Sequence, residues 1–276
     1  MTATIEIPRE HDNPCTAGCT HGEDVSRDGY GRPVIPGVGT CTRVTTVAGS
    51  LDSGADALML WFGTKVVEGV VRDRGLLDLA SAALGAGDES GLKHITNRAA
   101  DVGGRNIAAD RGTAMHAQLR SAVMGRGLLF PDDDTAATVA AVTELLAKAR
   151  LKPVLSEQFV VDAELKVAGT YDLLLQHLDR GTFHVGDFKS SAKLNDKRYP
   201  HKVAIQLAEY AGGQRWCPVR GWLRDPPIDQ EVGYLLSVPI DAGTAFLDPI
   251  DLAAGRAGLR MALAVRDWKK RSPILK

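Results

Sequence analysis

The chain has 276 residues, enough for one large domain or two small ones around a sizeable core. Hydrophobic residues make up 44% and charged residues 24%; with a formal net charge of -1 this excludes a strongly basic nucleic-acid coat but leaves room for a local basic groove. No apolar run reaches the roughly 18 residues a membrane span needs, the acid-bearing start MTATIEIPREHDNP is not a secretory signal, and four cysteines at this length make no disulfide scaffold, so the expectation is a soluble cytoplasmic protein with reduced thiols and no membrane partner.

Residues 1–41 read as a polar, cysteine-bearing arm without a period, with a short hairpin around DGYGRPVIP. The β-branched run TRVTTVAGSL (42–51) reads as strand-like. From Asp56 the apolar spacing turns helical through ALMLWFGTKVVEGVVRD, and LLDLASAAL (76–84) is a second helix, broken by GAGDESG. A long helix is expected from about Lys93 to Met124, with Gly103-Gly104 as the place for an interruption. Asp134 or Thr135 caps the next helix, which runs to Arg150 and is closed by Pro153. Three strand-like segments follow, at 154–162, 166–176 and 182–189, with LDRGT suited to a hairpin turn. A helix over 203–216, a strand over 231–240 and a final helix over about 251–271 complete the chain, which shows no internal repeat. From residue 134 the order is helix, strand, strand, strand, helix, strand.

Chemistry concentrates in GDFKSS (186–191). Residues i and i+2 of a strand share a face, so Asp187 and Lys189 project together. Asp172, in the Leu-rich GTYDLLL of the preceding strand, needs compensation for its charge. The hairpin turn lies midway between Asp172 and Asp187, which brings the two carboxylates together in register. Close carboxylates repel unless one is protonated or a cation lies between them. Oxygen ligands favour Mg²⁺ or Mn²⁺, and a lysine beside such a metal suits phosphodiester hydrolysis. A surface ion pair at a strand end is the competing reading of DFK alone. Gln206 and Tyr210 lie four apart on the next helix and share a face that can pack toward the strand ends. His116 in RGTAMHAQL is a candidate third ligand, and Glu157 on the first strand is a further carboxylate at or just behind such a site.

With GTAMH (Gly112–His116), GTYD ending at Asp172, DFK (187–189) and QLAEY (Gln206–Tyr210) in this order, the chain resembles the PD-(D/E)XK nuclease superfamily, in its RecB-like, phage-exonuclease branch. The resemblance covers roughly residues 105–240. It implies an α/β fold with a restriction-endonuclease-like α-β-β-β-α-β core, a mixed central sheet flanked by helices, and an N-terminal helical region, the nuclease domain running over 42–276. It implies that His116, Asp172, Asp187 and the Phe188 carbonyl bind metal, that Lys189 is the catalytic lysine, and that Gln206 and Tyr210 support it. It further implies a metal-dependent deoxyribonuclease of exonuclease type in DNA recombination, repair or phage DNA processing. DNA would be its substrate, a recombinase or single-strand-annealing protein its partner, and oligomers occur among related exonucleases. The rival is a catalytically silent DNA-binding accessory protein or a subunit of a larger nuclease; no P-loop is present to drive a helicase.

Two further clusters stand outside these motifs. Cys15, Cys19, His21 and Cys41 form a candidate Cys₃His zinc set, against free thiols. Some CRISPR-associated RecB-like nucleases hold an iron–sulfur cluster with one cysteine before the core and three after; here three precede and Cys217 follows, so that arrangement is not reproduced. Lys193, Lys197, Arg198 and Lys202 continue a basic run from Lys189 and are expected to meet nucleic-acid phosphates. Basic residues of the last helix read as a solvated face, and Tyr199, Trp216 and Trp222 as core residues before base-stacking ones.

Overall fold

The computed structural model describes residues 24–51, 55–129, 133–191, 200–239 and 242–271. It is an α/β protein with a mixed central sheet flanked by helices. Contacts divide the chain into two units, residues 52–115 and the remainder.

The sheet unit opens with a small hairpin, β1 (Val34–Ile35) and β2 (Gly39–Thr40), and a two-residue strand, β3 (Thr42–Arg43). The strand expected over 42–51 stops there. Helix α1 (Val44–Ala48) takes over, because Val44, Val47 and Ala48 at helical spacing all enter the core. The helical unit holds α2 (Ala55–Arg72), α3 (Gly75–Gly85), α4 (Glu89–Val102) and the first half of α5 (Ile107–Val123). The interruption falls at Gly103-Gly104 as expected, with Gly104 in the left-handed region at φ 84°. Asp88 caps α4 by accepting from Gly91 N–H at 2.8 Å.

Helix α6 (Asp133–Lys148) starts earlier than expected, so that Asp133 and Asp134 lie in its first turn instead of Asp134 or Thr135 capping it, and it ends before Arg150. Pro153 does not end it; that residue lies inside β4 (Leu151–Asp162), at a register irregularity between Pro153 and Leu155. β5 (Val167–His177) and β6 (Phe183–Ser191) follow as an antiparallel meander. The β4–β5 turn is tied by Asp162 Oδ1, which accepts from Glu164 and Leu165 N–H at 2.9 and 2.8 Å. The β5–β6 turn closes through His177 N–H to Thr182 O at 2.9 Å, with Gly181 at φ 69°.

Helix α7 (Pro200–Gly212) is shorter than expected. Its end at Gly212-Gly213 frees β7 (Gln214–Cys217) to pair with Val160 and Val161 of β4, and β8 (Gly221–Trp222) pairs with β7. β9 (Val232–Pro239) runs parallel to β6. β10 (Phe246–Asp251), which no apolar alternation announced, lies at the sheet edge where its Pro249 is tolerated. Asp251 then caps α8 (Leu252–Lys269) by accepting from Ala254 N–H at 2.9 Å. The strand order is β10-β9-β6-β5-β4-β7-β8, with β3 parallel to the start of β5. One core packs α1, α7 and α8 against the sheet through Tyr171, Leu174, Val185, Leu207 and Leu259. Helices α7 and α8 approach closely enough that a Cβ at Gly255 would sit 2.2 Å from Ala204 O. Among the described residues no helix is long and apolar enough to cross a membrane.

Candidate active site

The centre of the sheet fixes the site. Leu173 pairs with Gly186, so Asp172 and Asp187 fall one step further along β5 and β6. On the other side of β5, Ser156 pairs with Leu173 and Gln158 with Tyr171, which sets Glu157 across from Asp172. Glu157, Asp172 and Asp187 therefore form a row across three neighbouring strands. The hairpin arithmetic read from the sequence is realised in the register.

Asp187 is 4% exposed, and its carboxylate ion-pairs with Lys189, two residues along the same strand. Asp172 Oδ2 accepts from Phe188 N–H at 2.7 Å and lies 3.9 Å from His116 Nδ1. The His116 ring packs at 5.8 Å, tilted, on the Phe188 ring, which ties the second half of α5 to this end of β6. Burial pushes the Asp172 carboxyl up to about 6, against the opposing pull of Lys189 and the Phe188 N–H. Burial and then the Asp172 charge push Asp187 up to about 6 as well, against Lys189. The Asp172 charge thus disfavours a second negative charge at Asp187. Burial lowers His116, assisted by the positive charge of Lys189, so its imidazole favours the neutral form.

Gln206 and Tyr210 are both buried on α7. The Tyr210 ring meets Tyr171 edge-on at 6.4 Å. Burial raises the Tyr210 hydroxyl well above its ordinary value, and the charges of Asp187 and Asp172 raise it further, so it stays protonated beside the acids. Among the described residues the buried Gln206 Oε1 and Tyr171 hydroxyl have no hydrogen-bond partner.

Glu157 points its carboxylate at Arg120, a helical turn beyond His116, and the two form an ion pair. Arg120 was not picked out from the sequence. Its position four residues after His116, hence on the same helix face, was the available signal. A second unforeseen cluster is structural. Buried Arg215 on β7 ion-pairs with Asp225 and donates to Arg224 O at 2.9 Å and Gln158 Oε1 at 3.2 Å, tying the β7–β8 ribbon to β4.

The donor set of Asp172, Asp187, Glu157 and His116 suits a hard divalent cation by chemistry, and the raised carboxyls are in the state such a cation relieves. By distance the set is not assembled. Among the described residues no group of three or more His, Cys, Asp or Glu side chains is gathered as a ligand cluster. Lys189 and Arg120 engage two of the carboxylates instead.

Other predicted residues divide by location. Lys193, Lys197, Arg198 and Tyr199 lie outside the described residues, as do Cys15, Cys19 and His21. Lys202 lies on α7, its Nζ 3.8 Å from where a Gly49 Cβ would stand. Cys41 is fully buried among Val25, Ile35, Phe159, Val161 and Trp216, and burial raises its thiol, the setting of an apolar core residue. Cys217 is buried too. Trp216 packs edge-on against Phe159 at 6.2 Å, so it serves the core, while Trp222 keeps 42% of its surface exposed. Of the basic residues on α8, Arg256 is held by Gln230 O and Glu231 and Arg266 reaches Thr42 Oγ1 at 3.4 Å.

No protein-family model matches the chain, and no curated protein matches it. Among solved structures, the crystal structure of SSO0001 aligns over 50% of this chain and 60% of its own, at 18% identity and a TM-score of 0.27. A similarity that low carries no argument, and the match spans less than two thirds of that chain.

Proposed function

We propose that the chain is a metal-dependent deoxyribonuclease of the RecB-like type, built on the α-β-β-β-α-β arrangement of α6, β4, β5, β6, α7 and β9. The observation that carries this reading is the pair Asp172 and Asp187, adjacent in register, both raised to about 6, with Lys189 on the second of them. Buried acids that repel each other cost stability, and a fold retains them where they do chemistry. Supporting groups converge on the same place: His116 from α5, and Tyr210 from α7, whose hydroxyl responds to both acids.

In this reading Asp172 and Asp187, with His116 and the Phe188 carbonyl, are the groups that would hold a Mg²⁺ or Mn²⁺ ion, which would supply charge neutralisation and a more acidic water. Lys189 leaves its ion pair to orient the attacking water and to offset charge on the phosphate. The water oxygen forms the new P–O bond, one ester P–O bond breaks, and the departing oxygen takes up a proton. Tyr210 stays protonated and Gln206 offers its unpaired amide oxygen, so neither adds negative charge beside the acids.

The test uses end-labelled linear DNA, single- and double-stranded, beside a closed circle, with Mg²⁺, Mn²⁺ or EDTA. Metal-dependent loss of linear DNA that spares the circle is the result expected of an exonuclease; a cut circle marks an endonuclease. Lys189→Ala at wild-type rate would remove Lys189 from the chemistry and the site with it. The absence of an assembled ligand cluster among the described residues favours a second reading, a DNA-binding accessory protein without turnover. DNA binding without cleavage in any metal selects it.

A further inference from the structure

The row of three carboxylates does not treat its members alike. Asp187 is held in the ladder with Leu235 of β9, and the Asp172 carboxylate is fixed by the Phe188 N–H. Glu157 sits where the β4–β5 ladder is interrupted, between the pairs Ser156–Leu173 and Gln158–Tyr171, with a left-handed backbone at φ 51°. A non-glycine residue adopts that conformation at a steric cost, and such strain gathers at functional positions. The contact it secures is the ion pair with Arg120. Both partners are open to solvent, with side chains 44% and 32% exposed, so the pair repays little in stability. Strain held for a weak pair points to a purpose for where Arg120 ends up.

Arg120 and His116 are one turn apart on α5, and the positive charge of Arg120 is felt at both His116 and Asp172. Its guanidinium donates through Nη1 to Glu157 Oε1, and its other N–H groups have no partner among the described residues. A planar fork of donors, anchored at one corner and open at the rest, matches the oxygens of a phosphodiester. We propose that Arg120 is a phosphate-binding residue, gripping a backbone phosphate of bound DNA beside the Asp172–Asp187 pair, and that Glu157 is the positioning residue that aims it rather than a metal ligand. The inference rests on the reading of the chain as a DNA-processing protein and names the contact through which the strand is held.

The experiment measures binding of labelled duplex and single-stranded oligonucleotides in EDTA, where no turnover occurs, over a series of salt concentrations. Wild type, Arg120→Ala, Arg120→Lys, Glu157→Gln and Arg150→Ala are compared, the last removing an exposed arginine paired with Asp179. Loss of one phosphate contact lowers the slope of log K against log salt by about 0.9 on duplex and about 0.7 on a single strand. The expected result is that lowered slope and a roughly tenfold weaker affinity for Arg120→Ala, partial rescue by lysine, and no change for Arg150→Ala. Glu157→Gln keeps the slope, weakens affinity less than Arg120→Ala, and raises KM by a larger factor than it lowers metal-dependent kcat. Unchanged affinity and slope in Arg120→Ala overturn the inference while leaving the nuclease reading in place. Loss of kcat in Glu157→Gln with normal DNA binding also overturns it, by making Glu157 a ligand. Wild type that binds no DNA at any salt overturns both readings together.

Discussion

The sheet unit and the helical unit treat similar apolar segments in opposite ways. In β5, Leu173, Leu174 and Leu175 are all fully buried. In α2, Leu60 is 75% exposed, and Val67 and Val71, on the same helical stripe, are exposed too. The helical unit gains its cohesion elsewhere, where backbones meet. A Cβ at Gly69 would lie 1.8 Å from Ala99 O, and one at Gly103 would lie 1.9 Å from Lys65 O. The contrast teaches where chemistry can be placed. Among the described residues it is the sheet unit that buries enough to make a carboxylate expensive, and it is there that Asp172, Asp187 and Glu209 are raised.

The contrast is broken most severely at the acids. Asp187→Ala removes the carboxylate on which the proposed reaction depends, and cleavage is expected to fall at least ~10³-fold. The fold should persist, since the change relieves a buried, repelled charge and leaves Lys189 able to reach solvent. Cleavage assays paired with thermal melts check both halves. Leu60→Ala, in the helical unit, is expected to leave the rate unchanged.

Glu209 gives the next effect. It is buried on α7, and burial, then the charge of Asp162, push its carboxyl up to about 8. A folded-state value above the unfolded one means that the contribution of this group to stability is fully present below about pH 4.5 and is lost as pH rises through about 8. Glu209→Gln does not titrate. The two proteins should be about equally stable near pH 4.5, with the variant gaining as pH rises, by as much as ~5 kcal/mol above pH 8. Urea unfolding across pH 5 to 9 measures it. A constant difference between the two proteins across that range would show that Glu209 is not held neutral by its surroundings.

Much of the sheet unit was legible because its signals are local. The midpoint of a hairpin turn sets the register of two strands, and that alone brings Asp172 opposite Asp187. The spacing of Gln206 and Tyr210 sets a helix face in the same way. What escaped depends on partners distant in sequence. β7 is a strand because Val160 and Val161 offer it an edge, and β10 because β9 does. Residues 44–48 read as β-branched strand, yet helical spacing places Val44 against Gly169 and sends Val47 into the same core as Tyr210, and packing overrides propensity. The Glu157–Arg120 pair needed α5 laid beside β4, which no spacing within either segment announces.

Core truncation comes third in size. Leu174→Ala empties a fully buried site between β5 and the α7 layer and is expected to cost about 2–5 kcal/mol. Leu60→Ala removes a side chain already in water and should stay within about 0.5 kcal/mol. Denaturant midpoints separate the two readily. A large loss at Leu60 would mean that the apolar stripe of α2 is covered in solution.

The smallest effect lies within α2 itself, at two glycines. At Gly69 any side chain meets the Ala99 backbone, which cannot withdraw without parting α2 from α4, so Gly69→Ala should loosen the helical unit. At Gly63 a Cβ would meet nothing within 4 Å. There alanine adds helix propensity and restricts the unfolded chain, a gain of roughly 0.5–1 kcal/mol. Hydrogen exchange over residues 55–102 reads both, since it follows the helical unit apart from global unfolding. Faster exchange in Gly69→Ala beside slower exchange in Gly63→Ala, with the β5 and β6 amides unchanged in each, is the outcome that close backbone packing requires. If both alanines slowed exchange alike, helix propensity alone would be at work and the helices would not depend on that close approach.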